Sequence, residues 1–223
     1  MTTVSCLCIT RGKYEHLKRA LDCFVAQTWP EKEIVLVWQT MEPQTHDFLY
    51  RWGQGIRFVQ APPGTTLGEM RNMSVAAATG KIICCWDDDD WHAPTRIEEQ
   101  VDYLTTREAA ACMLRRWMMV DEVGGRAFIS PRRHWEGSMV CYRDLQVFRE
   151  GYAPLRQGED TDLLRRMIRR EKIVTMDRPE LYAYIHHGGN TCGTPHFEEL
   201  MKKGIQLDPE QTRFWLDKVR SER

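Results

Sequence analysis

No apolar run in this chain approaches the ~18 residues needed to cross a membrane. The opening residues, MTTVSCLCITRGKYEHL, lack the basic–apolar–small order of a secretory leader. No two of the eight cysteines form a C-x-x-C pair, which argues against a zinc knuckle. There is no G-x-x-x-x-G-K-S/T, no G-x-G-x-x-G, no H-E-x-x-H and no G-x-S-x-G. Those absences argue against P-loop NTPases, dinucleotide oxidoreductases, zincins and α/β-hydrolases. Internal repeats and low-complexity linkers are missing too.

What is present is globular. The chain has 223 residues, 42% hydrophobic and 28% charged, enough for one domain with a normal core. Cys6, Cys8, Cys84 and Cys85 lie inside apolar runs, where a thiol behaves as a small hydrophobe. Reduced, buried thiols in a cytoplasm are the expectation. The net charge of −1 is unevenly spread: residues 107–178 carry 14 arginines and a net +4.

The first half alternates strand and helix patterns. Val4–Ile9, Ile34–Trp38, Ile56–Val59 and Lys81–Trp86 read as buried strands. Tyr14 to Val25, Asp47–Trp52 and Leu67–Ala78 read as the helices between them. This order predicts an α/β fold with a mostly parallel sheet and right-handed crossovers. The second half predicts a helix over Pro94–Leu104 and a hairpin of Cys112–Val120 with Arg126–Ile129 around Gly124-Gly125. It also predicts an amphipathic helix Glu159–Arg170 with Leu163, Leu164, Met167 and Ile168 inward. Short strands at Ile173–Met176 and Leu181–Ile185 and a terminal helix docked by Phe214, Trp215 and Val219 complete it. The pattern changes near residue 90, between two lobes of one domain.

Four consecutive carboxylates, Asp87, Asp88, Asp89 and Asp90, follow the fourth strand directly. Ligands of open parallel sheets bind at that edge. Adjacent carboxylates repel unless a cation neutralises them, and all-oxygen ligands suit Mg²⁺ or Mn²⁺ on phosphates. The bland alternative is a solvated acidic loop with Asp90 as a helix cap. Glu159 and Asp160 open a helix, where the dipole alone stabilises acids; the functional alternative is a general base. His186 and His187 precede two glycines and are candidate metal ligands, an ambiguity shared by His196. Thr10 and Arg11 end the first strand, and Arg71 lies on a helix, suited to a diphosphate or to a surface ion pair.

These segments resemble, in the correct order, the family 2 glycosyltransferases of GT-A fold. Val4–Thr10 with Arg11–Leu17 is similar to the opening strand and helix. Gln27-Thr28-Trp29-Pro30 with Glu33–Val37, Leu67-Gly68 with Arg71-Asn72, Trp86–Trp91, Gly158-Glu159-Asp160 and Tyr184–Thr191 are similar to later family segments. The resemblance implies a donor-binding half over 1–90, an acceptor and catalytic half over 91–190, and a helical tail over 191–223. It implies an inverting, metal-dependent transfer of one sugar from a nucleotide-sugar, a UDP-sugar foremost, to an acceptor hydroxyl. Asp160, with Glu159, would be catalytic. Thr10, Arg11, Gln39, Arg71, Asp87 and Asp88 would hold the donor. Asp89, Asp87, His187 and His186 would hold Mn²⁺ or Mg²⁺.

Two departures stand out. Trp38-Gln39-Thr40 replaces the family's Asp-Asp-Gly, so Gln39 would contact the base. The processive Q-x-x-R-W is missing, which favours single transfers. Sugar-phosphate nucleotidyltransferase and non-catalytic nucleotide- or Ca²⁺-binding module are the alternatives. The arginines of residues 107–178 either pair with the 11 acids of the same segment and lie on solvated helix faces, or serve an anionic acceptor: a phosphorylated saccharide, a lipid-linked phosphate at a membrane surface, or a nucleic acid.

Overall fold

The computed structural model describes residues 2–52 and 55–221. In chain order the elements are β1 (Val4–Thr10), α1 (Tyr14–Val25), β2 (Lys32–Trp38), α2 (Pro43–Trp52), β3 (Ile56–Gln60), α3 (Leu67–Ala77) and β4 (Ile82–Cys85). Then come β5 (Trp91–His92), α4 (Arg96–Thr106), β6 (Ala111–Leu114), β7 (Met118–Asp121), β8 (Arg126–Ile129), β9 (Val140–Tyr142) and α5 (Gln146–Glu150). The last are α6 (Glu159–Arg170), β10 (Ile173–Met176), β11 (Tyr182–His186), α7 (Gly193–Lys203), β12 (Ile205–Gln206) and α8 (Pro209–Ser221).

A seven-stranded sheet runs β10-β6-β9-β4-β1-β2-β3. It is parallel except where β9 inserts antiparallel between β4 and β6. Strands from both halves of the chain share it. Side chains alternate across a strand, and β1 shows the consequence. Cys6 and Cys8 enter one core with Leu17, Leu21, Ile97 and Val101, while Leu7 enters the other with Met70, Val147, Leu163 and Met167. Helices α1 and α4 therefore cover one face, and α3, α5 and α6 the other, while α8 packs on β8 of the smaller sheet. A smaller five-stranded sheet, β12-β8-β7-β11-β5, packs into the first core. All eight cysteines are free thiols, and only Cys192 is exposed.

Local chemistry sets the elements nearest the cavity. Thr66 caps α3: its hydroxyl accepts from the Glu69 N–H at 3.3 Å, and Glu69 accepts from the Thr66 N–H at 2.8 Å. Gly68 in the first turn of α3 has no room for a side chain, because a Cβ would lie 1.9 Å from the Ala153 carbonyl oxygen. That close approach presses α3 against the loop leading into α6. Gly12, at φ +72°, turns the chain from β1 into α1, and a Cβ there would lie 2.5 Å from Met41 Cα.

Several expectations need correction. Cys112–Val120 is not one strand. It breaks at Arg115-Arg116 into β6 and β7, which belong to different sheets. The hairpin is instead β7 with β8. Ile168 does not face inward but is 47% exposed. The buried stripe of α6 is Glu159, Leu163 and Met167, at four-residue spacing, and Ile168 falls beside it. Asp90 caps no helix. It is buried and accepts hydrogen bonds from the Tyr182 hydroxyl and, at 2.8 Å, from the Ile185 N–H.

Candidate active site

A cavity of about 700 Å³ opens at the carboxyl ends of β1, β2 and β4, where the chain leaves the sheet. Thr10 and Arg11 border it from β1, Gln39 from the end of β2, and Asp87, Asp88 and Asp89 from the loop after β4. Arg71 comes from α3, Trp135 and Glu136 from the segment before β9, Glu159 and Asp160 from the first turn of α6, and His187 from the end of β11.

The acid loop is tightly held. The Thr10 hydroxyl donates to Asp88 Oδ2 at 2.6 Å and the Tyr182 hydroxyl to Asp87 Oδ2 at 3.3 Å. Asp89 Oδ2 lies 3.0 Å from His187 Nε2 and accepts from Asn190 Nδ2 at 3.3 Å. Withdrawal from water pushes the Asp87 carboxyl up to about 6, with Arg71 pulling the other way and Asp89 and Glu136 adding to the rise. Asp88 rises to about 7 through burial and the charge of Asp89. Asp89 is also penalised by burial, but the His187 contact outweighs that and its carboxyl sits below its ordinary value. Acids held this close together out of water carry a cost that a positive charge would relieve.

The donor set fits a divalent ion of the Mg²⁺ or Mn²⁺ kind. Among the described residues, no three His, Cys, Asp or Glu side chains converge as a ready-made cage. Such an ion would have to draw its other ligands from substrate phosphates and water, as these ions commonly do.

The opposite wall is formed by α6. Glu159 is buried, and Arg71 Nε donates to its Oε1 at 2.9 Å. Burial raises the Glu159 carboxyl above its usual range, with Arg71 opposing. Asp160 is half-buried on the cavity wall, and its Oδ1 accepts from the Thr161 N–H at 2.6 Å. Of the two acids, only Asp160 is free of an ion pair among the described residues.

Most of the expected site residues thus meet in one cavity. Arg11 is partly engaged, donating to Thr191 Oγ1 at 3.1 Å. Gln39 donates to the carbonyls of Pro62 at 3.2 Å and Thr65 at 2.7 Å, which pins it to the loop before α3. Arg71, expected on the diphosphate, lies between Glu159 and Glu136. His186 is a correction. Successive residues of β11 face opposite ways, so its ring leaves the cavity to meet Asp121 at 2.9 Å and Thr194 at 3.2 Å. His196, on α7, is not part of the cavity wall.

Among the wall residues that the sequence did not single out for the site are His16 and Glu136. The His16 ring lies 4.2 Å from that of His187, and burial together with His187 lowers it to about 4. Its place in the first turn and a half of α1, close behind Arg11, was the available signal. Glu136 is a lone acid in a segment without periodicity, and no sequence signal marks it.

The family model described as Glycosyl transferase family 2 matches residues 5–159. The chain belongs to that family. Its fold is similar to S. aureus TarS 1-349 in complex with UDP-GlcNAc, at TM-score 0.67 and 15% identity, covering 100% of this chain and 66% of that one. TarS 1-349 itself aligns at TM-score 0.66 and 14% identity, over 83% of this chain and 60% of that chain. The mannosyltransferase PcManGT from Pyrobaculum calidifontis, in complex with GDP-Man and Mn²⁺, aligns at TM-score 0.64 and 14% identity, over 84% of this chain and 57% of that chain. No curated protein matches. This glycosyltransferase family member therefore spans about 60% of the length of TarS 1-349. Among its described residues, no helix is long and apolar enough to cross a membrane.

Proposed function

We propose that the protein transfers one sugar from a nucleotide-sugar, a UDP-sugar foremost, to an acceptor hydroxyl, with inversion at the anomeric carbon. The observation that carries this is a single cavity walled by Asp87, Asp88 and Asp89 on one side and by Asp160 on another. The bound nucleotide-sugars named for the TarS and PcManGT structures support the donor class, and the Mn²⁺ named for PcManGT supports the cation.

The donor diphosphate lies against the acid loop. Asp89 and Asp87 would hold Mn²⁺ or Mg²⁺ there, with His187 beside Asp89. The ion, when bound, neutralises charge that develops on the leaving diphosphate. Gln39 uses its amide N–H groups on the loop before α3, which leaves its carbonyl oxygen for a donor group on the base edge.

The acceptor hydroxyl attacks the anomeric carbon from the face opposite the diphosphate. Asp160 takes its proton as the new C–O bond forms and the bond to the diphosphate oxygen breaks. One displacement inverts the centre, as in the single-step logic of inverting glycosidases. Glu159, paired with Arg71, fixes the first turn of α6 and with it the position of Asp160.

The acceptor is anionic. Several of the arginines of residues 107–178 are neutralised in place, Arg116 by Asp177 at 2.7 Å and Arg166 by Asp162 at 3.0 Å. Arg115, Arg132 and Arg133 are exposed and make no ion pair among the described residues. The backbone N–H of Arg133 donates to the Arg115 carbonyl at 3.2 Å, so the three gather at the corner that leads to Trp135.

A thermal-shift panel of UDP-, GDP-, TDP- and CMP-sugars with and without Mn²⁺ tests the donor class. A ligand that binds only the native state raises its apparent stability. Metal-dependent stabilisation by one nucleotide class, followed by release of that nucleoside diphosphate, is expected. No response to any of them overturns the proposal.

A further inference from the structure

Among the described residues, four lysine and arginine side chains border the cavity: Arg11, Lys13, Arg71 and Arg156. Three of them are engaged. Arg71 lies between Glu159 and Glu136, Arg11 donates to Thr191 Oγ1 at 3.1 Å, and Arg156 donates to the Gly64 carbonyl at 3.4 Å. The Lys13 ammonium makes no ion pair and no hydrogen bond among the described residues.

An exposed lysine without a partner is ordinary on a protein surface, so the place of this one matters. A Cβ added to Gly189 would lie 3.5 Å from Lys13 Nζ. The Gly189 N–H donates to His187 Nδ1 at 3.3 Å, and the other nitrogen of that ring, Nε2, lies 3.0 Å from Asp89 Oδ2. One imidazole therefore separates the ammonium from the acid loop. Its charge is felt at the neighbouring ring of His16, 4.2 Å from that of His187. Burial and His187 lead the lowering of His16, and Lys13 adds to it.

The backbone that carries Lys13 is anchored to the same loop. The Gly12 N–H donates to Thr10 Oγ1 at 2.9 Å, and that hydroxyl donates to Asp88 Oδ2 at 2.6 Å. The Gly12 carbonyl accepts from the Thr45 hydroxyl at 2.7 Å. The turn is thus held, while the flexible stem of lysine leaves its ammonium free to meet a ligand. An ammonium is a compact point charge with three donors, suited to phosphate oxygens. A divalent ion at Asp87 and Asp89 would have much of its charge offset by those carboxylates. The diphosphate that leaves the sugar keeps the electron pair of the broken bond and calls for further positive charge. Arg71 cannot supply it, because its own acids hold it.

We propose that Lys13 pairs with the diphosphate of the nucleotide-sugar and offsets the charge that grows on it as the sugar departs. The inference rests on the donor reading above and adds to it a residue that touches the leaving group.

The test is titration calorimetry of UDP, GDP and TDP with Mn²⁺ at low and moderate salt. Lys13→Ala should weaken the nucleoside diphosphate that wild type prefers by about tenfold. Lys13→Arg, which keeps the charge, should recover most of that loss. The gap between wild type and Lys13→Ala should narrow as salt rises, because an exposed charge is screened. Ligand-free melting temperatures should match wild type, since the Lys13 ammonium has no partner in the fold. Equal affinity in wild type and Lys13→Ala, or a loss that Lys13→Arg does not restore, overturns this inference alone. A wild type that binds none of the three overturns the nucleoside-diphosphate donor and this inference with it.

Discussion

Arg71 Nε donates to Glu159 Oε1 across 2.9 Å, and this one contact joins α3 to the first turn of α6. The same guanidinium faces Glu136 at 3.7 Å. Removing it leaves two buried carboxylates without their shared cation. Breaking a buried pair by deleting one partner costs about 3–5 kcal/mol. Arg71→Ala should therefore lower unfolding free energy by about 3 kcal/mol or more in a urea titration. Arg71→Lys, which keeps the charge but loses the fork, should fall between that variant and wild type. Equal stability of Arg71→Ala and wild type would show that the contact does not hold α6.

Asp160→Asn should keep donor binding and lose transfer. The amide occupies the same space and cannot take a proton. General bases contribute roughly 10²–10⁴-fold, so kcat should fall by that factor while donor KM stays within a few-fold. Steady-state kinetics with the preferred donor check it. A kcat within a few-fold of wild type moves the base to another residue.

The parallel half of the fold was legible because strands buried on both faces read as unbroken apolar runs, as in Val4–Ile9 and Ile34–Trp38. The other half was less so. Nothing in Cys112–Val120 shows that the chain changes sheets at Arg115-Arg116, since a corner is set by tertiary packing rather than by local pattern. Strand β9 has only three residues, and its antiparallel insertion between β4 and β6 is a matter of topology. Helix α7 was covered only by the helical tail expected over 191–223 and was not delimited, although Phe197, Leu200 and Met201 keep helical spacing after Pro195. In the site, the acid loop was visible from charge and from its place after a buried strand. Glu136 was not, because its meaning comes from Cys85, Tyr152 and Arg71, which lie far along the chain.

The Asp89–His187 contact yields a metal-dependent expectation. Asp89→Ala removes the one loop acid whose carboxyl sits below its ordinary value. Donor affinity should then no longer respond to Mn²⁺. His187→Ala should weaken that response less, because Asn190 still donates to Asp89 at 3.3 Å. Titration of nucleotide with and without Mn²⁺ measures both. Equal metal dependence in wild type and Asp89→Ala would remove Asp89 from the cation site.

Glu33 gives a stability expectation that is independent of function. Its Oε1 accepts from the Ser5 hydroxyl at 2.7 Å, the Thr79 N–H at 2.7 Å and the Thr79 hydroxyl at 2.8 Å. Partial burial works against ionisation, but these hydrogen bonds outweigh it and the carboxyl lies below its usual range. A carboxyl lowered in the folded state adds stability above its unfolded value, about 4.3, and loses it as pH falls through the folded value. Glu33→Gln should cost about 1 kcal/mol at neutral pH, and the difference from wild type should vanish as pH drops below 4. Urea midpoints at several pH values decide this. A constant difference across that range would show that ionisation of Glu33 plays no part.

The arginine corner gives the acceptor expectation. Arg170 is answered by Glu150, as Arg116 and Arg166 are by their own acids, pairs already counted in the net +4 of residues 107–178. Arg115, Arg132 and Arg133 remain exposed and unanswered among the described residues. Their segment continues into Trp135 and Glu136 on the cavity wall, although none of the three arginines lines the cavity itself. A polyanionic acceptor releases counterions as it binds, and its affinity falls steeply with salt. Acceptor KM should therefore rise with ionic strength in wild type, with donor KM far less affected. Arg132→Ala with Arg133→Ala should raise acceptor KM at low salt and flatten that dependence, leaving donor affinity and thermal stability unchanged. Phosphorylated saccharides, lipid-linked phosphates and nucleic acids can be compared in the same assay. An acceptor KM indifferent both to salt and to the paired substitution points instead to a neutral sugar acceptor, with the guanidinium groups merely keeping that surface hydrated.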